Sequence, residues 1–538
     1  MSAIVTDQFR IANTTNFIES VLNDNNSYYV FLGLPNPTVA GFGRTDNINN
    51  WPLAPVDNLD YQTHYRDSMM FGKKITSANV RRVVKKFTWV NNNRYDMYRH
   101  DYSATNLAPN SKTTNLYRSN YYVITSDLQV YICLDNGSSG TSTSSTAKGN
   151  RSLIEPNFTD IEPITLSDGY TWKYLFTIAA SDVIKFDSIE YIVLPNDWGT
   201  TTNSQIKSVR ESGNSDINKN QIKTVYIENP GSGGGYLSTI GDQTPHILNI
   251  LGDGTGGKVS VTVASTGIIQ SVKVVSGGSG YTYGIVDLGP IQESQNSNNT
   301  SLGKLIPIIP PSKGHGFDIY KELGADKVLI YARFDDSDKD FPVDTSFSQV
   351  GIIKNPEKTT STDIYKANQF SSLPSFKVSE PLSETTKNYA GVKITQEISG
   401  VGTATGYIAS YDTDTKIVKY FQDRSLYFLG NYDGPGGGYD HRDHTKVSDK
   451  ANVLKFGESG NIEIRAPGDI HIRQVDPGLT GVTTISNNKI VNLGVEYRKG
   501  VSESEINKKT GDVIYITNRS VVQRDLRQKE DIKIVLEF

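Results

Sequence analysis

Apolar residues in this 538-residue chain fall mostly in short runs closed by Gly, Asn, Asp and Pro, the pattern of a mainly β protein with few helices. Two further observations point the same way. Between Lys258 and Ala264, and again between Gln270 and Val275, β-branched residues alternate with polar ones, as on a half-buried strand. Only Phe9 to Leu22 carries apolar residues at helical spacing (Phe9, Ala12, Phe17, Ile18, Val21, Leu22), with Thr6 or Asp7 placed to cap it. In chain order, Tyr28 to Leu32 then reads as a continuous buried strand and Val80 to Phe87 as a strand with paired charges. Tyr121 to Leu134 reads as two strands around Ser126 and Asp127, and Thr171 to Ile178 as another. Tyr191 to Leu194 is a strand stopped by Pro195, which has no amide to donate to a ladder. At the end of the chain Ile532, Ile534, Leu536 and Phe538 share one face, so the terminus is expected to be tied into a sheet.

Composition narrows the class further. With 36% hydrophobic and 10% aromatic residues the chain can bury sizeable cores, about three or four domains' worth at roughly 150 residues each. Lys and Arg number 54 against 58 Asp and Glu, a net charge of −4, so no global basic field points to nucleic acid or an anionic membrane. Cys133 is the only cysteine, which excludes an intrachain disulfide and a CxxC metal pair; within the run Val130 to Leu134 it reads as a small buried hydrophobe. The first residues lack a basic stretch followed by an apolar one, and no run approaches the ~18 apolar residues of a spanning helix. A soluble protein made in a cytoplasm is the expectation.

Two segments differ in texture. From Asn229 to Pro290, 15 of 62 residues are Gly, yet strands alternate with the glycines, which makes a strand-and-tight-turn module and not a linker. A weak internal repeat runs through it: Pro230 to Tyr236 resembles Ser276 to Tyr283. The second segment, about 360 to 505, holds a hairpin (Ala404 to Tyr411, then Lys416 to Phe421) and a glycine loop from Gly434 to Asp440. Gly137 to Thr146 is low in complexity and reads as an exposed loop.

Motifs that carry chemistry are weak. Gly252, Gly254 and Gly257 match a dinucleotide fingerprint, but a strand follows where the pyrophosphate needs a helix N-terminus, so a tight turn is expected. Asp336, Asp338 and Asp340 imitate a calcium loop whose glycine is Phe341 and whose twelfth residue is Phe347, not Glu; an exposed acidic loop is expected. His441 and His444, with adjacent Asp, lack an apparent third ligand. His100 falls in an aromatic and charged cluster, Tyr95 to Tyr102, suited to a recognition surface. The basic run Lys73, Lys74, Arg81, Arg82, Lys85, Lys86, Arg94 and Arg99, with Trp89, reads as a solvated edge or protein interface, nucleic acid being the alternative. No Walker loop, nucleophile elbow or HExxH motif is present, so no catalytic, cofactor or metal residue is assigned.

Several blocks, taken in order, resemble the smaller baseplate wedge subunit family of T-even-like contractile-tailed phages. They are Ala3 to Arg10, Tyr28 to Leu32, Gly43 and Arg44 with Trp51 and Pro52, Asp168 to Phe176, Glu190 to Pro195, Val350 to Pro356, and Gly511 to Arg519 running on to Glu530 to Phe538. The resemblance covers about 1–200, 315–358 and 508–538 and implies an enlarged, cyanophage-like version. It implies multi-layer β-sandwich domains on a discontinuous N- and C-terminal scaffold: scaffold over 1–90, 311–360 and 506–538, an inserted β-sandwich over 91–204, a Gly-rich β insertion over 205–310 and a second β insertion over 361–505. It further implies a non-enzymatic homodimer, without cofactor, that connects wedge proteins in the virion tail and contacts neither nucleic acid nor membrane. Two other classes stay open. One is a glycan-binding adhesin or tail-fibre component using the Gly/Tyr-rich insertions; the other is a tail-associated glycosidase, for which no acid pair stands out.

Overall fold

The computed structural model describes residues 6–33, 62, 65–66, 68–140, 146–212, 221–232, 234–239, 244–292, 302–335, 346–382, 389, 392–413, 415–422, 455–466, 469–481, 496–523 and 528–538. Strand accounts for 42% and helix for 12%, so the fold is mainly β with few helices, as the short apolar runs predict. The chain forms two compact units, each assembled from separated segments. The first comprises Met1–Asn16, Arg81–Leu329 and Val535–Phe538; the second comprises Phe17–Val80 and Ile330–Ile534.

Helix Asp7–Leu22 forms where the periodicity predicts it, and Thr6 is its cap, its hydroxyl accepting the Phe9 amide at 3.3 Å. The inward stripe is Ile11, Thr14, Ile18 and Val21, spaced three, four and three residues apart. Phe9, expected inward, is exposed: two residues from Ile11, it lies about 200° around the helix from that stripe.

The first unit holds the aromatic core. Strands Tyr122–Ile124 and Gln129–Asp135 form the expected hairpin, and the sheet continues through Thr171–Thr177 to Ile164–Thr165. Behind it Tyr95, Tyr121, Trp172, Phe176 and Trp198 are buried together. Tyr170 stacks on Trp172 at 5.4 Å and Tyr95 meets the same indole edge-on at 5.8 Å, contacts worth roughly 0.5–1.5 kcal/mol each beyond their burial. The Trp198 indole N–H donates to the carbonyls of Gly316 and Phe317, both at 3.1 Å, so the largest ring is fastened at its one polar point. Val80–Lys85 pairs with Tyr191–Val193, matching Val83 to Val193. The C-terminal strand Glu530–Glu537 lies beside Lys327–Phe334, and the Phe538 amide donates to the Asp326 carbonyl at 3.1 Å, so the terminus is tied into a sheet as its alternation predicts.

The Gly-rich segment, also in the first unit, builds its own sheet. Its order is Ile269–Ser279, Thr255–Val263, His246–Gly252, Gly284–Val286. Leu248, Ile250, Val259, Val261, Val263 and Val286 form a core on one face, the outcome that alternation between glycine turns predicts. Asp253 and Gly254 make the tight turn between two paired strands, and Thr255 to Gly257 already belong to the second, so the glycine motif opens no helix.

In the second unit a five-stranded sheet runs Gln369–Ser371, Met69–Lys74, Tyr28–Gly33, Ser346–Lys354, Asp512–Gln523. Phe31 is paired with Gly72 on one side and Gly351 on the other. A Cβ at Gly351 would run into the Phe31 ring, so glycine there makes room for the ring across the ladder. A seven-stranded sheet includes the expected hairpin, Gly402–Asp412 with Ile417–Phe421, and carries a separate core around Phe376, Ile394, Val418 and Ile464.

Candidate functional site

A cleft of about 430 Å³ opens in the first unit. The helix start supplies Asp7 and Ile11, the end of the Val80–Lys85 strand supplies Val84 and Lys85, and Ile189 and Glu190 close one side. Asp7 is held by the Asn115 amide, and Asp326, also on the wall, pairs with Lys327 at 2.8 Å. The wall combines charged side chains, among them Lys85, Glu190 and Asp326, with the apolar Ile11, Val84 and Ile189.

A cluster of titratable side chains is buried in the same unit. His315 Nδ1 lies 2.5 Å from Glu322 Oε1, while Glu322 Oε2 accepts the Gly316 amide at 2.7 Å. The Tyr98 ring meets the imidazole edge-on at 4.8 Å. Lys173, in the middle of an otherwise apolar strand, points inward and donates to the Ile161 carbonyl at 2.7 Å and to Ser212 Oγ at 3.4 Å. Burial pushes its ammonium down to about 8, against the opposing pull of Glu162 and Glu322. Lys173, Ser212 and His315 share a void of only about 10 Å³, the space of a single water and too small for a substrate. Sequence reasoning passed over this cluster. Its legible signal was Lys173, a lone cation amid Trp172, Tyr174, Leu175 and Phe176.

The residues singled out from sequence are placed as follows. Tyr95, Asp96, Met97, Tyr98 and Arg99 are buried, the two tyrosines and Met97 in the aromatic core, so these five offer no recognition surface; His100 is exposed, and Asp101 and Tyr102 are half-buried. No regular strand runs there to give the five an outward face, and the Asp96 carboxylate is satisfied by the amides of Asn110 and Ser111. The His100 Nδ1 accepts the Ile309 amide at 3.2 Å, and partial desolvation of the ring lowers its pKa. Cys133 is buried, and burial raises its thiol, as befits a core hydrophobe. The basic run is largely consumed by internal partners. Arg81 pairs with Asp182 at 2.9 Å, Lys86 with Asp187 at 3.6 Å, and Arg99 bidentately with Asp101. Arg82 stands 4.0 Å over the Tyr320 ring and Arg99 3.9 Å over that of Tyr226. Arg94 donates to the Gly149 carbonyl at 3.1 Å.

The two glycine repeats have a shared structural logic. Tyr236 and Tyr281 are both buried, and each hydroxyl accepts a glycine amide: Gly303 at 2.6 Å for Tyr236, Gly257 at 3.1 Å for Tyr281. Their rings fill the module and are not presented as stacking platforms for sugars; Tyr283 of the same repeat is exposed. Gly43, Arg44, Trp51, Pro52, Asp336, Asp338, Asp340, His441 and His444 lie outside the described residues. Among the described residues no group of three His, Cys, Asp or Glu side chains is placed to hold a metal, and no helix is long and apolar enough to cross a membrane.

No protein-family model matches the chain, and no curated protein sequence matches it.

Proposed function

We propose that the chain is a structural subunit of a phage tail baseplate wedge, a homodimer that connects neighbouring wedge proteins in a contractile tail. One observation carries this reading. Three of the blocks on which the family resemblance rests, Tyr28 to Leu32, Val350 to Pro356 and Gly511 to Arg519, lie on neighbouring strands of one sheet, with Val30 opposite Ile352 and Ile352 opposite Tyr515. The Ser27 amide donates to Asn355 Oδ1 at 2.7 Å across a sequence separation of 328 residues. Blocks that are distant in sequence and adjacent in space are what a shared scaffold interrupted by insertions requires. The inserted stretches supply sheets and cores of their own. Tyr and Arg are enriched in well-packed protein interfaces, and a chain with 30 Tyr is well supplied for them. On this reading the protein turns over no substrate, its partners are itself and other wedge subunits, and its place is the virion.

The test is co-expression with the neighbouring wedge proteins of the same tail, followed by light scattering of the purified product. A stoichiometric complex containing two copies of this chain is expected, and antibody against the chain should decorate the baseplate periphery of intact tails. A chain that binds no tail protein and decorates no tail would sink the reading.

A further inference from the structure

Charge of both signs is left over on the wall of the cleft in the first unit. Three of the charged groups there are engaged: Lys327 pairs with Asp326 at 2.8 Å and with Glu537 at 3.1 Å, and Lys86 pairs with Asp187 at 3.6 Å. The other four are not matched by an opposite charge. Among the described residues no carboxylate pairs with Lys85 or Arg118, and no cation pairs with Asp7 or Glu190. Lys85, Arg118 and Glu190 are exposed, and Asp7 is half-buried.

Two of the four are fixed to one short turn. Asn115 caps the 3₁₀ turn Leu116–Arg118, its Oδ1 accepting the Tyr117 amide at 2.9 Å, while its own side-chain amide donates to Asp7 Oδ2. Asp7 is thereby held in place, and its Oδ1 is left for a donor from outside the described residues. Arg118 ends the same turn, about 6 Å beyond Asn115 at roughly 2 Å of rise per residue, so one small molecule can reach both heads. A guanidinium fork suits a carboxylate, which it binds through two parallel hydrogen bonds, and a carboxylate such as Asp7 suits an ammonium. The lining between them is apolar: Ile11, Val84, Tyr122 and Leu323 are all buried. The Tyr122 hydroxyl already donates to the Lys85 carbonyl at 2.8 Å, so its ring is what it offers a ligand.

We propose that this cleft binds a free apolar α-amino acid, with its carboxylate on Arg118, its ammonium on Asp7 and its side chain on the apolar lining. The volume, about 430 Å³, lies near the lower end of the ~300–1,000 Å³ of small-molecule pockets. A simple anion would face Asp7 and Glu190 uncompensated, and a simple cation would face Lys85 and Arg118; a zwitterion answers both signs at once. Tyr117, Tyr122 and Tyr191 on the wall favour an aromatic side chain, because rings pack edge-on and offset against one another. The walls come from the start of helix Asp7–Leu22, from Val84 to Lys86 and from Leu323 to Lys327, stretches far apart in sequence. A molecule bound among them stabilises the unit by mass action and needs no turnover, so the site is independent of the wedge reading and compatible with it.

The test is a ligand-observed nuclear magnetic resonance titration of the full chain with L-phenylalanine, at about pH 6.5 so that the α-amino group is protonated. A Kd of about 0.1–1 mM is expected for a ligand with roughly a dozen non-hydrogen atoms. N-acetylphenylalanine lacks the ammonium and phenylalaninamide lacks the carboxylate, and each should bind at least about tenfold more weakly, the effect of losing one charge-assisted hydrogen bond. Arg118→Gln should weaken phenylalanine and leave phenylalaninamide unchanged. Asp7→Asn should weaken phenylalanine and leave N-acetylphenylalanine unchanged. Misfolding would weaken all three ligands together, so this crossed pattern reports the two contacts themselves. Phenylalanine that does not bind by about 10 mM overturns the proposal. So does a site that holds the capped compounds as tightly as the free amino acid, or one indifferent to both substitutions.

Discussion

Lys173 sits in a strand whose other inward residues are aromatic or aliphatic, and its ammonium is satisfied by one carbonyl and one hydroxyl, with no carboxylate in contact among the described residues. Burial disfavours its charged form, so the folded-state pKa, about 8, lies below the 10.5 of a solvated lysine. The unfolded chain therefore binds more protons between those values, and stability rises with pH across that window. Replacing Lys173 with Met removes this dependence. The stability advantage of Lys173→Met over wild type should shrink by about 2 kcal/mol from pH 7 to pH 9.5, read by urea unfolding of both proteins at each pH. Buried tyrosines act in the opposite sense. Burial raises Tyr98, Tyr121 and Tyr122, so the stability they contribute is lost above about pH 10, and the comparison belongs below it. The same difference measured at both pH values would show that Lys173 is solvated in the folded chain.

At the scale of elements, the Gly-rich module turns on Tyr281. Its hydroxyl donates to the Ile250 carbonyl at 2.9 Å and accepts the Gly257 amide at 3.1 Å, while a Cβ on Gly254 or Gly278 would strike its ring. The glycines are there because the ring is there. Tyr281→Phe keeps the packing and strands a buried carbonyl and a buried amide, at about 1–3 kcal/mol for each group. A loss of roughly 2–5 kcal/mol is expected in denaturant unfolding followed by far-ultraviolet circular dichroism, against less than about 0.5 kcal/mol for exposed Tyr283→Phe. Equal effects of the two substitutions would refute this account of the repeat. The module's strands were legible because alternation is a local signal, and so were helix Asp7–Leu22 and the Gly402–Asp412 hairpin. The role of Tyr281 was not, since a glycine-tyrosine repeat reads equally as an exposed loop until its ring is seen to be covered. Tyr95 to Arg99 failed for a related reason: irregular backbone has no period from which to read its inward side.

Over the whole molecule, the mainly β fold was legible and its long-range pairings were not. Nothing near Tyr28 specifies that it lies opposite Lys354, and nothing near His315 specifies its meeting with Lys173 across the aromatic core. Such pairings depend on which surfaces fit after collapse, and local propensity is silent about that. The C-terminal alternation was an exception, because an apolar face at a chain end has to be covered. Its coverage in the first unit is specific: beyond the Phe538 amide on Asp326, Glu537 reaches Lys327 at 3.1 Å and Arg10 at 3.8 Å. The hydrogen bond from Lys327 holds the Glu537 carboxyl below its ordinary value, so its contribution is present above about pH 4.5 and is lost as the pH falls. Removing Val535–Phe538 should therefore weaken the first unit, and the tryptophans give a way to see it. Trp89, Trp172 and Trp198 all lie in that unit, two of them in its core. A loss of 1–2 kcal/mol should lower the midpoint of the tryptophan-fluorescence melt by roughly 3–6 °C at this domain size. The low-temperature far-ultraviolet spectrum should change little, because the remaining sheets are intact. A fluorescence transition that does not move would mean that the last four residues add nothing to the unit they complete.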